Sequence, residues 1–404
     1  MAASQGPTSP VLENQRPIAT GAMIVALRDD ADPADCIRIM ERQTASEVSV
    51  SAFGRQENPA ISAGKVTFFP ELQIAFIPRA IAARHASKMT QLVNEEAVLE
   101  ARPEFFVFAQ QQFVDTQEST WGAAAVGAHK SPFTGQGIKI AVLDTGIDLK
   151  HPDYVGRAIV AQSFVKGETV DDVQGHGTHC AGTAAGKSVD PMVPRYGIAP
   201  DASLFVGKIL NNRGFGTELD IVNGMNWAIT QRCEVISMSV GAPVRSGERH
   251  SLLYERVGKL ALQNGSLIVA AAGNESNRGL GFIAPVSSPA NAPSILAVGA
   301  LDGSLNVATF SAGGVNPEGG EIDIAAPGVG IFSSVPLPQK YRTMMGTSMA
   351  CPHVAGVAAL WAQSDPGLRG SALWSALQQN AKPLPQEGRD VGSGLVQAPG
   401  SSAA

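Results

Sequence analysis

From residue 21 to about residue 110, hydrophobic and polar residues alternate in short blocks that have either strand or helix periodicity. In chain order the blocks predict a strand at 22–28, a helix at 33–43, strands at 47–53 and 68–78, a helix at 82–96 and a strand at 98–109. This βαββαβ order is typical of a small antiparallel sheet with two helices on one face. A unit of this size is only marginally stable by itself.

Beyond residue 135 the apolar runs become continuous, which is typical of strands buried in a parallel sheet. Strands are predicted at 139–143, 203–209, 235–240, 267–272 and 294–298, and helices at 219–231, 251–264, 348–363 and 370–380. The alternation predicts an α/β fold with a doubly wound, mostly parallel sheet. Because reactive groups collect at the carboxyl ends of the strands in such sheets, we expect the functional site there.

The composition suits a large globular protein and argues against two classes of partner. Of the 404 residues, 44% are hydrophobic and 16% are charged. The net charge of −6 and the scattered Lys and Arg residues argue against nucleic acid, which requires a basic patch. No apolar run is long enough to span a bilayer, so we expect no membrane association. We also expect the protein to be a monomer.

The N-terminal residues bear on where the protein is located. Residues 1–16 lack the basic start and apolar core of a secretory signal peptide, so we expect either a cytoplasmic protein or export by an unconventional route.

The four cysteines are widely spaced and form no CxxC pair: Cys36, Cys180, Cys233 and Cys351. We therefore expect free, buried thiols rather than a disulfide framework or a zinc ribbon.

Three segments each place one reactive polar residue among small or apolar neighbours. They read Ala-Val-Leu-Asp-Thr-Gly-Ile-Asp at 141–148, Gly-His-Gly-Thr-His-Cys-Ala-Gly-Thr at 175–183 and Gly-Thr-Ser-Met-Ala-Cys-Pro-His-Val-Ala-Gly at 346–356. The reactive residues are Asp144, His176 and Ser348. A serine hydroxyl needs an imidazole to take its proton and a carboxylate to orient that imidazole. Any one segment alone is more often structural, but together they predict a catalytic triad.

Together with Ala-Ala-Gly-Asn-Glu at 271–275, these motifs resemble the subtilisin-like serine proteases, whose triad has the chain order Asp, His, Ser. The resemblance covers about residues 121–398, and the histidine motif is similar to that of the proteinase K branch. It implies that Ser348 attacks the scissile carbonyl, His176 is the general base and Asp144 holds its tautomer. It also implies that the Asn274 side-chain amide and the Ser348 N–H stabilise the oxyanion. This chemistry requires no cofactor.

The resemblance further implies that an extended protein or peptide substrate pairs with two backbone segments. The implied substrate-binding residues are Gly214, Phe215, Gly216, Ser239, Val240, Gly241, Ala271, Ala272 and Gly273. The walls of the primary pocket are expected at 270–273 and 287–289, where no deeply placed charge is evident. We therefore expect an apolar or mixed preference at the residue before the cut, with Glu275 at a solvated rim.

The N-terminal unit resembles, more weakly, the inhibitory prodomain of secreted subtilisins. The predicted division is a disordered tail at 1–20, a ferredoxin-like inhibitory prodomain at 21–112, a catalytic domain at 113–398 and a tail at 399–404. The chain is then expected to be a self-processing zymogen, cleaved in the connector at 110–118 and inhibited by its own N-terminal domain.

Calcium is common in this family, and Asp153 matches a position that often supplies a ligand. Residues 187–196 lack the Asn-rich pattern that usually completes that site. The match at Asp153 predicts a structural calcium ion, whereas the missing Asn-rich pattern argues against it, and both interpretations stay open.

The same residues bear on three other functions. The spacing of His176, His179 and Cys180 could seat zinc, but the acid of hydrolytic zinc motifs is absent, and we expect His179 and Cys180 to be packed helix residues. A pseudoprotease that only binds peptides is disfavoured by the intact catalytic residues. A peptide ligase, cyclase or maturation protease of the same fold, in which an amine could capture the acyl-enzyme, stays open.

Overall fold

The structure, a computed structural model, describes residues 19–50, 65–105, 113–316 and 318–400. These residues form two compact units, divided between residues 109 and 110. Residues 1–18 of the tail predicted at 1–20, residues 401–404 of the tail predicted at 399–404, and the predicted strand ends at 51–53 and 106–109 lie outside the described residues.

The N-terminal unit contains one five-stranded sheet in the order β2-β3-β4-β1-β5. Its elements are β1 (Ala19–Leu27), α1 (Pro33–Thr44), β2 (Val48–Val50), β3 (Val66–Phe69), β4 (Ile74–Ile77), α2 (Arg79–Arg84), α3 (Ala86–Met89) and β5 (Val98–Phe105). The strand β1 is antiparallel to β4 and β5, whereas β2 is an edge strand parallel to β3. Without β2 the order is βαββαβ, so the ferredoxin-like arrangement is confirmed.

Two predicted elements of this unit are divided in the structure. The single strand predicted at 68–78 is wrong, because a turn at 70–73 makes a hairpin of β3 and β4, with Gln73 in the left-handed region at φ 51°. Pro70 has no N–H to continue a strand ladder, which favours the turn. The helix predicted at 82–96 is interrupted at His85, where φ is −118°, and separates into α2 and α3. The strand β1 also begins at Ala19, within the predicted tail.

Local chemistry explains where α1 begins and how it packs. The side chain of Asp32 accepts a hydrogen bond from the Ala34 N–H at 2.8 Å, and Pro33 occupies the first helical position. Cys36 and Met40 of α1 are fully buried in the core of this unit. The helix therefore closes one face of the small sheet.

The second unit is built on a seven-stranded parallel sheet in the order β12-β11-β10-β9-β6-β8-β7. Its strands are β6 (Lys139–Asp144), β7 (Val160–Ser163), β8 (Ser203–Lys208), β9 (Val235–Met238), β10 (Leu267–Ala271), β11 (Leu296–Leu301) and β12 (Ile324–Pro327). A separate antiparallel hairpin consists of β13 (Ile331–Ser334) and β14 (Tyr341–Met344). The helices are α4 (Trp121–Ala125), α5 (His176–Ala185), α6 (Glu218–Thr230), α7 (Leu252–Gln263), α8 (Thr347–Ser364), α9 (Ser371–Gln379) and α10 (Gly388–Val391).

Helices cover both faces of this sheet, which confirms the predicted doubly wound α/β fold. Ile140 and Val142 of β6 are buried in the core that contains α5 and α8. Ala141 and Leu143, the alternate residues, are buried in the core that contains α6 and α7. Both faces of the strand are therefore apolar, as expected for a parallel strand between two helical layers.

The strand β6 lies where the order of the strands reverses, because β8 pairs with one of its edges and β9 with the other. Open α/β sheets bind their ligands at such a switch point, outside the carboxyl ends of the strands. Asp144 is the last residue of β6. Separately, none of the helices in the described ranges combines the length and the apolar character that crossing a membrane requires.

Candidate active site

A buried carboxylate and a partly exposed imidazole meet at the carboxyl end of β6. The Asp144 side chain is completely buried, whereas 18% of the His176 side chain is exposed. The Nδ1 of His176 lies 2.8 Å and 3.0 Å from the two oxygens of Asp144. Because a carboxylate can only accept, Nδ1 carries the hydrogen and Nε2 keeps a lone pair that can take a proton.

Asp172, four residues before His176, fixes the start of α5 against the end of β6. One of its oxygens accepts hydrogen bonds from the Thr145 hydroxyl at 2.8 Å and the Gly175 N–H at 2.7 Å. The other accepts from the N–H and the hydroxyl of Thr178, at 2.8 Å and 2.7 Å. Asp172 is not among the site residues that the sequence motifs predict. The available signal was a polar, acidic run directly before a predicted helix start, where a carboxylate is favourable.

The charges around His176 favour its protonated form. Burial by itself lowers the pKa of His176, but the negative charge of Asp144 and the hydrogen bond to it outweigh burial, and the pKa is held well above its ordinary value. The pair is therefore arranged to stabilise an imidazolium, which is the state that a general base reaches after taking a proton.

Ser348 is the second residue of α8 and lies on the same side of the sheet as the imidazole. Its carbonyl oxygen accepts from the Ser239 hydroxyl at 2.7 Å and from Cys180 Sγ at 3.5 Å. The same sulfur lies 3.8 Å from Nδ1 of His176, so one atom touches both the imidazole and the backbone of Ser348. Within the described residues, Ser348 Oγ donates a long bond of 3.4 Å to the Ser239 carbonyl and makes none to His176.

Asn274 lies beside the amino terminus of α8. Its Oδ1 accepts hydrogen bonds from the N–H and the hydroxyl of Thr347, at 2.8 Å and 3.0 Å. A Cβ placed on Gly346 would lie 3.6 Å from both Asn274 Nδ2 and the backbone nitrogen of Ser348. Two N–H donors therefore border the same small space next to Ser348.

Asp144, His176 and Cys180 also place one carboxylate oxygen, one ring nitrogen and one sulfur within 4.8 Å of one another. These residues do not fit a resident metal ion. A metal there would compete for the Nδ1 that Asp144 already binds. Burial raises the pKa of the Cys180 thiol, which disfavours the thiolate that a metal requires.

The other histidines and cysteines near the site have the contacts of packed core residues. Burial lowers the pKa of His179 and that of His353 to about 4. The His179 Nε2 lies 3.0 Å from the Ile331 carbonyl, away from the cluster with Cys180. All four cysteines are buried and unpaired, so the expectation of free, buried thiols is confirmed.

The segments predicted to form the primary pocket lie against one another. The Ser287 N–H donates to the Ala272 carbonyl at 2.8 Å. Ala242, directly after the 239–241 segment, exchanges two backbone hydrogen bonds with Ser288, at 2.8 Å and 3.0 Å. A Cβ on Gly273 would collide with the Ser287 hydroxyl, so this close packing requires glycine. Val240, Ala271 and Ala272 are buried in these walls, and Gly241 is exposed.

The 214–216 segment is the tip of a closed loop. The N–H and the carbonyl of Phe215 are both bonded to Asn211, at 3.2 Å and 2.7 Å, and 68% of Phe215 is exposed. A Cβ on Gly214 would lie 3.9 Å from the side-chain amide of Gln174, whose oxygen accepts the His176 N–H. The loop therefore lies next to the turn that precedes the imidazole.

Asp153, the predicted calcium ligand, is surrounded by hydrogen-bond donors. Its Oδ2 accepts from the hydroxyls of Tyr196 at 2.5 Å and Tyr341 at 3.0 Å, and its Oδ1 accepts from the Val189 N–H at 3.1 Å. Calcium requires six to eight oxygen ligands that point lone pairs at the ion. Here hydrogens point at the carboxylate instead, so the residues around Asp153 do not fit a calcium ion.

A buried Asp–His pair beside a helix with a serine in its first turn, on a doubly wound sheet, is the arrangement of a serine hydrolase. The sequence profile of the subtilase family matches residues 135–395. The chain is 35% identical to Subtilisin E of Bacillus subtilis (strain 168) over 342 residues, which are 84% of this chain and 83% of that protein. It is 39% identical to Subtilisin Savinase of Lederbergia lenta over 286 residues, 70% of this chain and 98% of that protein.

Among solved structures, the chain is similar to Sphericase, with a TM-score of 0.60 and 32% identity over 70% of this chain and 99% of that one. The chain therefore belongs to the subtilase family, and it is a serine endopeptidase.

Proposed function

We propose that the protein hydrolyses peptide bonds through an acyl-enzyme formed on Ser348. The hydrogen bond between Nδ1 of His176 and the buried carboxylate of Asp144 carries this proposal. With Nδ1 occupied, Nε2 takes the proton of Ser348 Oγ during attack on the scissile carbonyl and then gives it to the leaving amine. Asp144 holds the ring and stabilises the imidazolium. Water activated by the same imidazole then releases the acyl group, and no cofactor takes part.

In this scheme Ser348 Oγ gives up its long bond of 3.4 Å to the Ser239 carbonyl when its proton passes to Nε2 of His176. Catalytic hydrogen bonds are often long or misaligned in free enzymes and tighten when substrate binds. The Asn274 amide and the Ser348 N–H receive the oxyanion, since both border the space beside Gly346. The two bonds that Thr347 donates to Asn274 Oδ1 hold the amide group in place beside that space.

Substrate is held as an extended strand between the 214–216 and 239–241 segments. Because Asn211 occupies the polar backbone groups of Phe215, pairing falls to the glycines on either side, while the exposed ring of Phe215 contacts substrate side chains. Glu275 accepts hydrogen bonds from the Ser287 hydroxyl at 3.2 Å and the Asn274 N–H at 2.9 Å, which hold it at the pocket rim. An apolar or mixed residue before the cut suits these walls.

The N-terminal unit acts as a folding aid and inhibitor that the protease removes from itself. The match to Subtilisin E is longer than the second unit and so extends into the first, whereas the match to Subtilisin Savinase takes in nearly all of that protein and only 70% of this chain. The Phe113 N–H donates to the Gly303 carbonyl at 2.7 Å, so Phe113 is already held by the second unit. The cut therefore falls just before Phe113, within the 110–118 connector.

One experiment tests both parts of this proposal. The full-length chain is incubated with casein and with a serine-directed phosphonate, and its intact mass is followed over time. Ser348→Ala is compared with Ser371→Ala, a matched control at the exposed start of α9. Phosphonate labelling and casein cleavage should persist in the control and disappear in Ser348→Ala, whose kcat falls by about 10⁶-fold. The wild-type mass should drop by the N-terminal unit, and that of Ser348→Ala should not.

The outcomes separate the alternatives. A Ser348→Ala protein that still takes the label has a different nucleophile. Full activity with no change of mass would reject self-processing and leave the hydrolase in place. Fragments joined to amines, instead of hydrolysed fragments, would favour acyl transfer.

A further inference from the structure

A pocket of about 210 Å³ opens between the turn that precedes His176 and the β13–β14 hairpin. One wall is the turn at 173–175, and the other is the hairpin loop at 335–339 together with Arg342 and Met344. Pockets for whole small molecules usually measure about 300–1,000 Å³. This one therefore has the size for a single side chain.

Arg342 supplies the charge of this pocket. Among the described residues that line it, Arg342 alone is ionisable. Successive side chains of a strand point to opposite faces. The Tyr341 hydroxyl reaches the buried Asp153, so Arg342 and Met344 face the other way and line the pocket.

The guanidinium is available to a ligand. Arg342 is exposed and, within the part of the chain that the structure describes, pairs with no carboxylate. The acid bonded to the hairpin loop is Asp148, and its two oxygens accept the N–H groups of Leu337 and Lys150, both at 2.9 Å. Asp148 is thus held by the backbone and leaves Arg342 unpaired.

The position of the pocket relates it to one side of the substrate. Gly175 directly precedes His176, and β14 continues into the segment that carries Ser348. Neither of the segments proposed to hold residues before the cut, 214–216 and 239–241, lines this pocket. His176 must deliver its proton to the leaving amine, so a pocket on this side of its turn faces the residues that follow the cut.

We propose that this pocket selects an acidic side chain among the residues that follow the cut, with Arg342 as the specificity-determining residue. The inference rests on the proposed peptidase function. A guanidinium presents a planar fork of donors that a carboxylate fills with two parallel hydrogen bonds. Because the pair stays partly solvated, the selectivity is modest, about 3- to 10-fold in kcat/KM.

The test uses the full-length protein and internally quenched peptides that differ only at the first three positions after the cut. Each position carries Glu, Gln or Lys in turn. Wild type is compared with Arg342→Gln, Arg342→Lys and Arg342→Glu, and with Arg256→Gln as a control at an exposed arginine of α7. Rates are divided by the number of active sites titrated with a phosphonate, so that a poorly folded variant does not imitate lost selectivity.

At one of the three positions after the cut, wild type and Arg256→Gln should cleave the peptide with Glu about 3- to 10-fold faster than the peptide with Gln. This ratio of rates should be smaller at high salt. The preference should vanish in Arg342→Gln, persist in Arg342→Lys and turn toward Lys in Arg342→Glu. Equal rates for Glu and Gln in wild type, or an acidic preference that survives in Arg342→Gln, would overturn the assignment. Failure to cleave any peptide would instead contradict the peptidase mechanism itself.

Discussion

Asp172→Ala should impair catalysis without touching any group that reacts. The Asp172 carboxylate is buried and accepts four hydrogen bonds, which join the end of β6 to the first turn of α5. Its removal breaks the bond from the Thr145 hydroxyl, directly after Asp144, to the turn before His176, and leaves in place the bond of 2.8 Å from the Gly177 N–H to that hydroxyl. The bond of 2.8 Å between Nδ1 and Asp144 then loses part of the framework that positions it.

The size of the effect follows from the donors that are left behind. Alanine strands the backbone N–H groups of Gly175 and Thr178, and each unsatisfied buried donor costs about 1–3 kcal/mol. The two threonine hydroxyls can rotate to other acceptors, and water in the vacated space restores part of the loss. We expect the free energy of unfolding to fall by about 2–4 kcal/mol. A displacement of the imidazole by about 1 Å should lower kcat by about 10²-fold.

The assay must separate lost stability from lost positioning. Unfolding is followed by denaturant titration, and kcat is measured per phosphonate-titrated site on a peptide substrate. Asp171→Ala is the matched control, because Asp171 is exposed and, among the residues that the structure describes, its side chain bonds to the nearby Thr169 hydroxyl alone. If Asp172→Ala unfolds more easily while its titrated sites turn over at the wild-type rate, Asp172 does not position the imidazole and the reasoning fails.

Three further predictions follow from the site. Asn274→Ala and Asn274→Asp should both lower kcat by about 10²–10³-fold, because Asp keeps the oxygen that accepts from Thr347 but lacks the N–H donor. Wild-type turnover in either variant would contradict the role of Asn274 in stabilising the oxyanion. The pKa of His176 is held above its ordinary value, and the general base must be unprotonated to act. We therefore expect kcat/KM to rise with pH through a midpoint above the usual histidine range, and Asp144→Asn should shift that midpoint to lower pH. Tyr196→Phe removes the hydroxyl that donates to Asp153, so the free energy of unfolding should fall by about 1–3 kcal/mol, by the same amount in calcium and in EDTA. If calcium restored the lost stability, an ion at Asp153 would be indicated.

The strands that carry the candidate site were predictable because each is a continuous apolar run between two helical layers. β6, β8, β9 and β10 lie where the hydrophobic pattern predicts them. The edge strands β7 and β12 were not predicted. β7 reads Val-Ala-Gln-Ser and is partly exposed, so it lacks the pattern of a buried strand. β12 is buried along its whole length, but its apolar run is only four residues long and ends at Pro327, which cannot donate to a strand ladder.

The contacts that refine the site join residues far apart in the chain and leave no local pattern. The donors to Asp153 come from Tyr196 and Tyr341, 43 and 188 residues away. Cys180 looked like a packed helix residue, yet its sulfur touches both His176 and the backbone of Ser348. A single sequence reports periodicity and motifs, but not which side chains meet across the core. The missing Asn-rich pattern at 187–196 already argues against calcium at Asp153, but the donors that occupy its carboxylate are visible only in three dimensions.

The glycines of the aspartate and histidine motifs have a steric reason that explains why the reactive groups meet. Gly146 has φ 109°, and a Cβ on it would collide with the Val170 carbonyl. A Cβ on Gly177 would collide with the Gly146 carbonyl, so the end of β6 and the first turn of α5 touch backbone to backbone. On this side of the imidazole the Asp144 side chain is completely buried, and the lower effective dielectric there strengthens the ion pair. With alanine at both glycine positions, Asp144 and His176 would still be present. The added Cβ atoms would push the end of β6 and the first turn of α5 apart, and the hydrogen bond between the two side chains would be lost.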